Sequence, residues 1–189
     1  MAVIACELLG LNSLNNCNDR GGIRTAFWAE YDGIDWPTML ADPLLFDPVN
    51  QQILGYAMLG GAVFSPIVGE SKNSYYEFTY TSEQDFYQLL VTFLFKGKDI
   101  ARRNRLQSAI ACCNVVIHIY GRSGEQRVVG IDYNGEVFDP IVEFARVTRH
   151  LDSGGQLGTS RSRDELDLGG QSFYAPLWAN VPQEDIPLT

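Results

Sequence analysis

Phe86–Tyr133, FYQLLVTFLFKGKDIARRNRLQSAIACCNVVIHIYGRSGEQRVVGIDY, decides how the rest of the chain is read. Its opening admits two periods. Tyr87, Leu89, Val91, Phe93 and Phe95 alternate as on a strand, and Phe86, Leu89, Leu90, Phe93 and Leu94 recur as on a helix. Ser82 with Asp85 adds a helix-start signature. The β-branched and aromatic residues Val91, Thr92, Phe93 and Phe95 favour the strand, and Gly97 closes the run. A short basic helix follows over 99–112. Asp99 is placed to cap it, and Ile100, Arg103, Leu106, Ala109, Ile110 and Cys113 recur near helical spacing. Val115–Tyr120 and Arg127–Tyr133 then pair across Gly121–Gln126. A strand, helix, strand and hairpin with no catalytic signature describe a shaped building block.

Outward from this block, Met1–Gly22 is polar and turn-rich at its end, and reads as an N-terminal arm. Ile23–Tyr31 alternates as a first strand. Residues 32–50 carry Pro37, Pro43 and Pro48 and predict a long loop, with one helical turn near Thr38–Ala41. Val63–Val68 and Tyr75–Thr81 read as a hairpin across GESKNS. Val137–His150 alternates, and Leu151–Arg163 is a polar, glycine-rich loop. Asp164–Leu168 and Ser172–Trp178 predict a last strand, bulged at Gly169–Gly170. The expected fold is mainly β (α+β): two packed antiparallel sheets forming a β-barrel or sandwich, with one short flanking α-helix. It forms a single domain over 23–178, between the arm and an extended tail over 179–189.

A chain of 189 residues can bury a core without staples. Its net charge of −9 is unevenly spread. Residues 1–95 hold three basic side chains against eleven acidic ones, whereas 96–189 hold eleven against twelve. Lys96, Lys98, Arg102, Arg103 and Arg105 face only Asp99, giving +4 in ten residues. Such a block fits a phosphate grip, a solvated helix face, or contact with an acidic surface on an identical neighbour. The overall acidity argues against nucleic-acid binding as the main task. No apolar run reaches the roughly 18 residues that cross a bilayer, and the first residues lack the basic start of a secretory signal. Cys6, Cys17, Cys112 and Cys113 have no metal-ligand spacing and read as reduced, small buried hydrophobes, with a Cys6–Cys17 bridge as the alternative.

The sequence nominates no active site. His118 lies mid-strand and reads as structural or interfacial, and His150 beside Asp152 reads as a surface pair. No HExxH, nucleophile elbow or phosphate loop occurs, so neither an enzyme nor a cofactor or metal is expected. Trp28, Trp36 and Trp178 with nine tyrosines suggest aromatic packing at interfaces as well as in cores. The candidate subunit-interface residues are Lys96, Lys98, Arg102, Arg103, Arg105, Trp36, Arg161 and Arg163.

The order of elements resembles the tail tube proteins of tailed bacteriophages, fold relatives of the type VI secretion tube protein. The residues that carry the resemblance are Gly22-Ile23 at the first strand and Arg103-Asn104-Arg105-Leu106 leading into Val115–Tyr120. Gly121–Gly124 with Val129-Gly130-Ile131, the DSGGQLG loop and the DELDLGGQSFYAPLW strand complete it, over most of residues 22–178. The resemblance implies a structural virion protein, assembled in the host cytoplasm into stacked, hexameric rings. Its partners would be further copies of itself and other tail proteins, with DNA only passing through the lumen and no membrane. The arm and the loop 32–50 become candidates for ring-to-ring contact. Another virion component (tail completion, neck or capsid-decorating) and a soluble β-rich binding module or unrecognised enzyme are the alternatives. Self-assembly separates them.

Overall fold

The computed structural model describes residues 18–67, 74–81, 86–96, 101, 104–105, 108, 110–111, 113–141, 146–153 and 163–188. The first strand organises everything else. β1 (Asn18–Glu30) changes partners along its length: Asn18–Gly22 pair with β5 (Tyr75–Thr81), and Ile23–Glu30 pair with β7 (Val115–Gly121). The switch coincides with a register shift between Ile23 and Thr25, the local bend by which one strand serves two sheets. Gly21 is needed just before it, because a Cβ there would lie 2.4 Å from the Tyr76 hydroxyl on the facing strand. Asn18–Gly22, assigned to the arm from sequence, are thus strand residues of the sheet.

The first sheet runs β11 (Arg146–Ser153), β12 (Arg163–Ser172), β6 (Phe86–Lys96), β5 and the N-terminal part of β1, antiparallel throughout. Phe86–Phe95 is therefore strand, as its β-branched and aromatic content requires. The second sheet continues from β1 through β7, β8 (Gln126–Val129), β13 (Leu177–Ala179), β3 (Gln52–Ile53) and β2 (Phe46–Asp47). Only β13 and β3 run parallel among these pairs. β9 (Ile131–Tyr133) and β10 (Phe138–Pro140) form a separate hairpin. The path is open, with β11 and β2 at its ends, so the sheets make a sandwich and not a closed barrel.

Several local expectations change. β4 (Ser65–Ile67) and β5 do not pair with each other; both lie along one edge of β1, end to end. Gly130, at φ 97°, lies between β8 and β9, splitting what alternation suggested was one strand. The register shift near the chain's end lies between Val147 and Arg149 on β11, while Gly169 and Gly170 pair regularly with Leu90 and Leu89. The segment read as 137–150 is β10 and β11, with 142–145 outside the described residues. Within the predicted helix 99–112, the described residues 101, 104, 105, 108, 110 and 111 are helical.

The long loop also contains α1 (Trp36–Ala41), whose first turn is capped by Asp35 accepting from the Thr38 N–H at 3.2 Å and hydroxyl at 2.8 Å. The C-terminal residues are not a free extension. Val181 and Ile186 are buried, and the Pro187 carbonyl accepts from the Phe64 N–H.

Strand alternation divides the apolar residues between two cores. Tyr76, Phe78, Leu89, Val91, Phe93, Leu166 and Leu168 of the first sheet meet Ala26, Ile117, Ile119 and Val129 of the second. The other face of the second sheet presents Phe27, Val116, Tyr120 and Val128 to Trp36, Met39, Phe46, Phe64 and Val181. β7 is consequently buried on both faces, every residue of VVIHIYG included. The loop 31–64 and the C-terminal residues exist to cover that second face.

Candidate functional site

His118 was one of two titratable candidates, and the structure places it wholly inside the second core, at 0 % exposure. Its Nδ1 lies 2.8 Å from the Tyr56 hydroxyl and its Nε2 3.2 Å from Gln126 Oε1. The same Gln126 oxygen accepts from the Val181 N–H at 2.9 Å, which fixes that atom as oxygen. His118 therefore donates from Nε2 and accepts Tyr56 at Nδ1. Its ring stacks on Tyr120 with centroids 4.6 Å apart, and the Tyr120 hydroxyl donates to the Val181 carbonyl at 2.8 Å. Burial lowers the imidazole pKa to about 4, against a smaller upward pull from Gln126. Burial likewise holds the Tyr56 hydroxyl well above its ordinary value and lifts Tyr120 to about 12. With both ring nitrogens engaged and the ring fully buried, His118 presents no free nitrogen to a substrate. It stitches the loop at Tyr56 and the C-terminal residues to β7.

A groove of about 960 Å³ opens where β5, β6 and β12 meet the β9–β10 hairpin. Gly169 and Gly170 contribute no side chains across the β6–β12 pair, and Leu90, Ile141 and Phe173 supply apolar wall. Its polar lining comes from Glu77, Thr79, Gln88, Gln171, Ser172 and Asp132. The Ser172 hydroxyl, which accepts from the Tyr174 N–H at 3.0 Å, donates to Asp132 Oδ1. Burial raises the Asp132 carboxyl pKa, Ser172 opposes this, and Asp139, its register partner across the hairpin, raises it further. Phe173 stands 77 % exposed at the edge of the groove. The sequence reading missed this site, although Ile131–Pro140 shows its signal: Asp132, Glu136 and Asp139 with no Lys or Arg.

The predicted interface residues separate into three groups. Lys96 ends β6 and Arg163 begins β12, and the two are register partners, so residues remote in sequence meet at one end of the first sheet. Arg105 is exposed on the helical segment. Lys98, Arg102, Arg103 and Arg161 lie outside the described residues, as do Cys6, Cys17 and Cys112 of the thiol reading. Trp36 is not a surface group: it is 6 % exposed, stacks on Tyr31 at 5.1 Å, and donates from Nε1 to the Tyr31 carbonyl. Of the other tryptophans, Trp178 is partly exposed and lies beneath the Arg127 guanidinium at 3.2 Å.

The chain matches no known protein family, no curated protein and no solved structure. Among the described residues no group of three or more His, Cys, Asp or Glu is placed to hold a metal ion, and no helix is long and apolar enough to cross a membrane.

Proposed function

We propose that this chain is a structural virion protein, a phage tail tube subunit that self-assembles into stacked rings around a DNA-conducting channel. The observation that carries the reading is the open antiparallel sandwich with its flanking helical segment. The first sheet ends at β11, an eight-residue strand with no further partner among the described strands. A strand of that length at an open edge is a template for another chain, and closure into a ring removes it. The surrounding chemistry agrees. A net charge of −9 gives a wall that repels passing phosphate instead of retaining it. His118, fully buried, is spent on holding the fold together.

Negative-stain electron microscopy across a concentration series tests the reading. Uniform rings or hollow tubes are the expected result, and top views give the symmetry, expected to be sixfold. One closed ring that never stacks would instead identify a neck-type component. A protein that remains monomeric at every concentration would overturn assembly as its task.

A further inference from the structure

We propose that the groove binds a neutral carbohydrate, a short oligosaccharide laid across one end of the first sheet's outer face. The inference goes beyond assembly, since the groove lies within a single copy. Three observations carry it. The first is where the polar groups stand. Tyr76, Phe78, Leu89, Val91, Leu166 and Leu168 face the core, so alternation turns the residues between them to the opposite face. Register sets these in two rows across β5, β6 and β12: Thr79, Gln88 and Gln171 in one, Glu77, Leu90 and Gly169 in the next. With strands about 4.8 Å apart, each row spans about 10 Å. A sugar hydroxyl both donates and accepts, and the amide side chain answers both needs. Two amides beside a hydroxyl in one row, with a glycine leaving the next row open, suit the edge of a sugar ring.

The second is charge. No Lys, Arg or His is among the described residues lining the groove, whereas Glu77 and Asp132 bring carboxylates. A phosphate, sulfate or carboxylate ligand would meet like charge there. Asp132 is held in place by the Ser172 hydroxyl and the Phe173 N–H. A carboxylate accepts at about four positions, so it keeps capacity for a ligand hydroxyl. A cation would use the carboxylates alone and leave the amide donors of Gln88 and Gln171 unused.

The third is the apolar part of the lining. Phe86 and Phe173 stand one position beyond the last β6–β12 pair, Tyr87 with Ser172, and both line the groove. Phe173 is 77 % exposed, an aromatic face held in water beside hydrogen-bonding groups. The C–H face of a sugar ring is apolar and packs on such a surface while its hydroxyl edge reaches the amides. The volume of about 960 Å³ lies within the roughly 300–1,000 Å³ of small-molecule sites.

The test is an array of neutral and sialylated oligosaccharides probed with the full chain, followed by calorimetric titration of the best-held glycan. Spermine and trilysine are titrated in parallel. Neutral glycans should be held in preference to their sialylated counterparts. Gln88→Ala with Gln171→Ala, both exposed in the fold, should weaken the titrated glycan about tenfold or more at an unchanged melting temperature. Phe173→Ala should do the same, and it decides alone if the double variant does not fold. An array that holds no neutral glycan would overturn the proposal. So would a glycan whose affinity ignores these variants, or spermine or trilysine binding in its place. Each of these outcomes leaves the tube reading untouched, and a monomer that binds glycan removes that reading alone.

Discussion

At the scale of single residues, His118 links the fold to pH. Unfolded, its imidazole titrates near 6.5, and in the core near 4, so the unfolded chain binds the extra proton first. The stability it contributes is complete above about pH 6.5 and is lost as pH falls toward 4, on the order of 3 kcal/mol over the whole interval. Phenylalanine fits the same stack on Tyr120 but cannot titrate, and it strands the Tyr56 hydroxyl. His118→Phe should therefore start about 1–3 kcal/mol less stable at pH 7 and lose less on going to pH 4.5. Urea denaturation at the two pH values measures this. Parallel losses in both proteins would remove His118 as the source of the dependence. The sequence reading of His118 as structural followed from its place in an apolar strand. Its partner Tyr56 did not, nor did Val181, which holds Gln126 and Tyr120, because both are brought in by segments remote from β7.

At the scale of elements, the loop 31–64 is held by aromatic packing and not by regular structure. Phe46 is 1 % exposed and sits edge-on to both Tyr133 and Phe138, each at 4.8 Å. Phe46→Ala should cost about 3–5 kcal/mol, read as a lower urea midpoint with an unchanged slope. Trp36 belongs to the same cluster, which is why a residue that suggested an interface proved to be core. Alternation reveals that a tryptophan is apolar, not which surface consumes it. The basic segment gives the complementary case. Arg105 is exposed on the helical segment, and Arg102→Glu, Arg103→Glu and Arg105→Glu together should abolish assembly while leaving circular dichroism and melting temperature those of a folded monomer. Polymer length unaffected by the triple reversal would make this segment a solvated face and nothing more.

At the scale of the whole molecule, the consequential feature is one strand shared between two sheets. β1 carries Asn18–Gly22 into the first sheet and Ile23–Glu30 into the second, and so creates two cores in a single chain. By itself the sequence determined the mainly β class, the strand at Phe86–Phe95, the helical residues after Lys96, and the absence of any motif for catalysis. These depend on local period, β-branching and capping, which act within a few residues. Only the tertiary structure decided that β4 and β5 both lie on β1, that the sandwich stays open, that Trp36 is core, and that Ser172 bonds Asp132 in the wall of a groove. Those outcomes depend on contacts between residues tens of positions apart, where hydrophobic burial and strand register select one pairing among many that the local pattern allows equally.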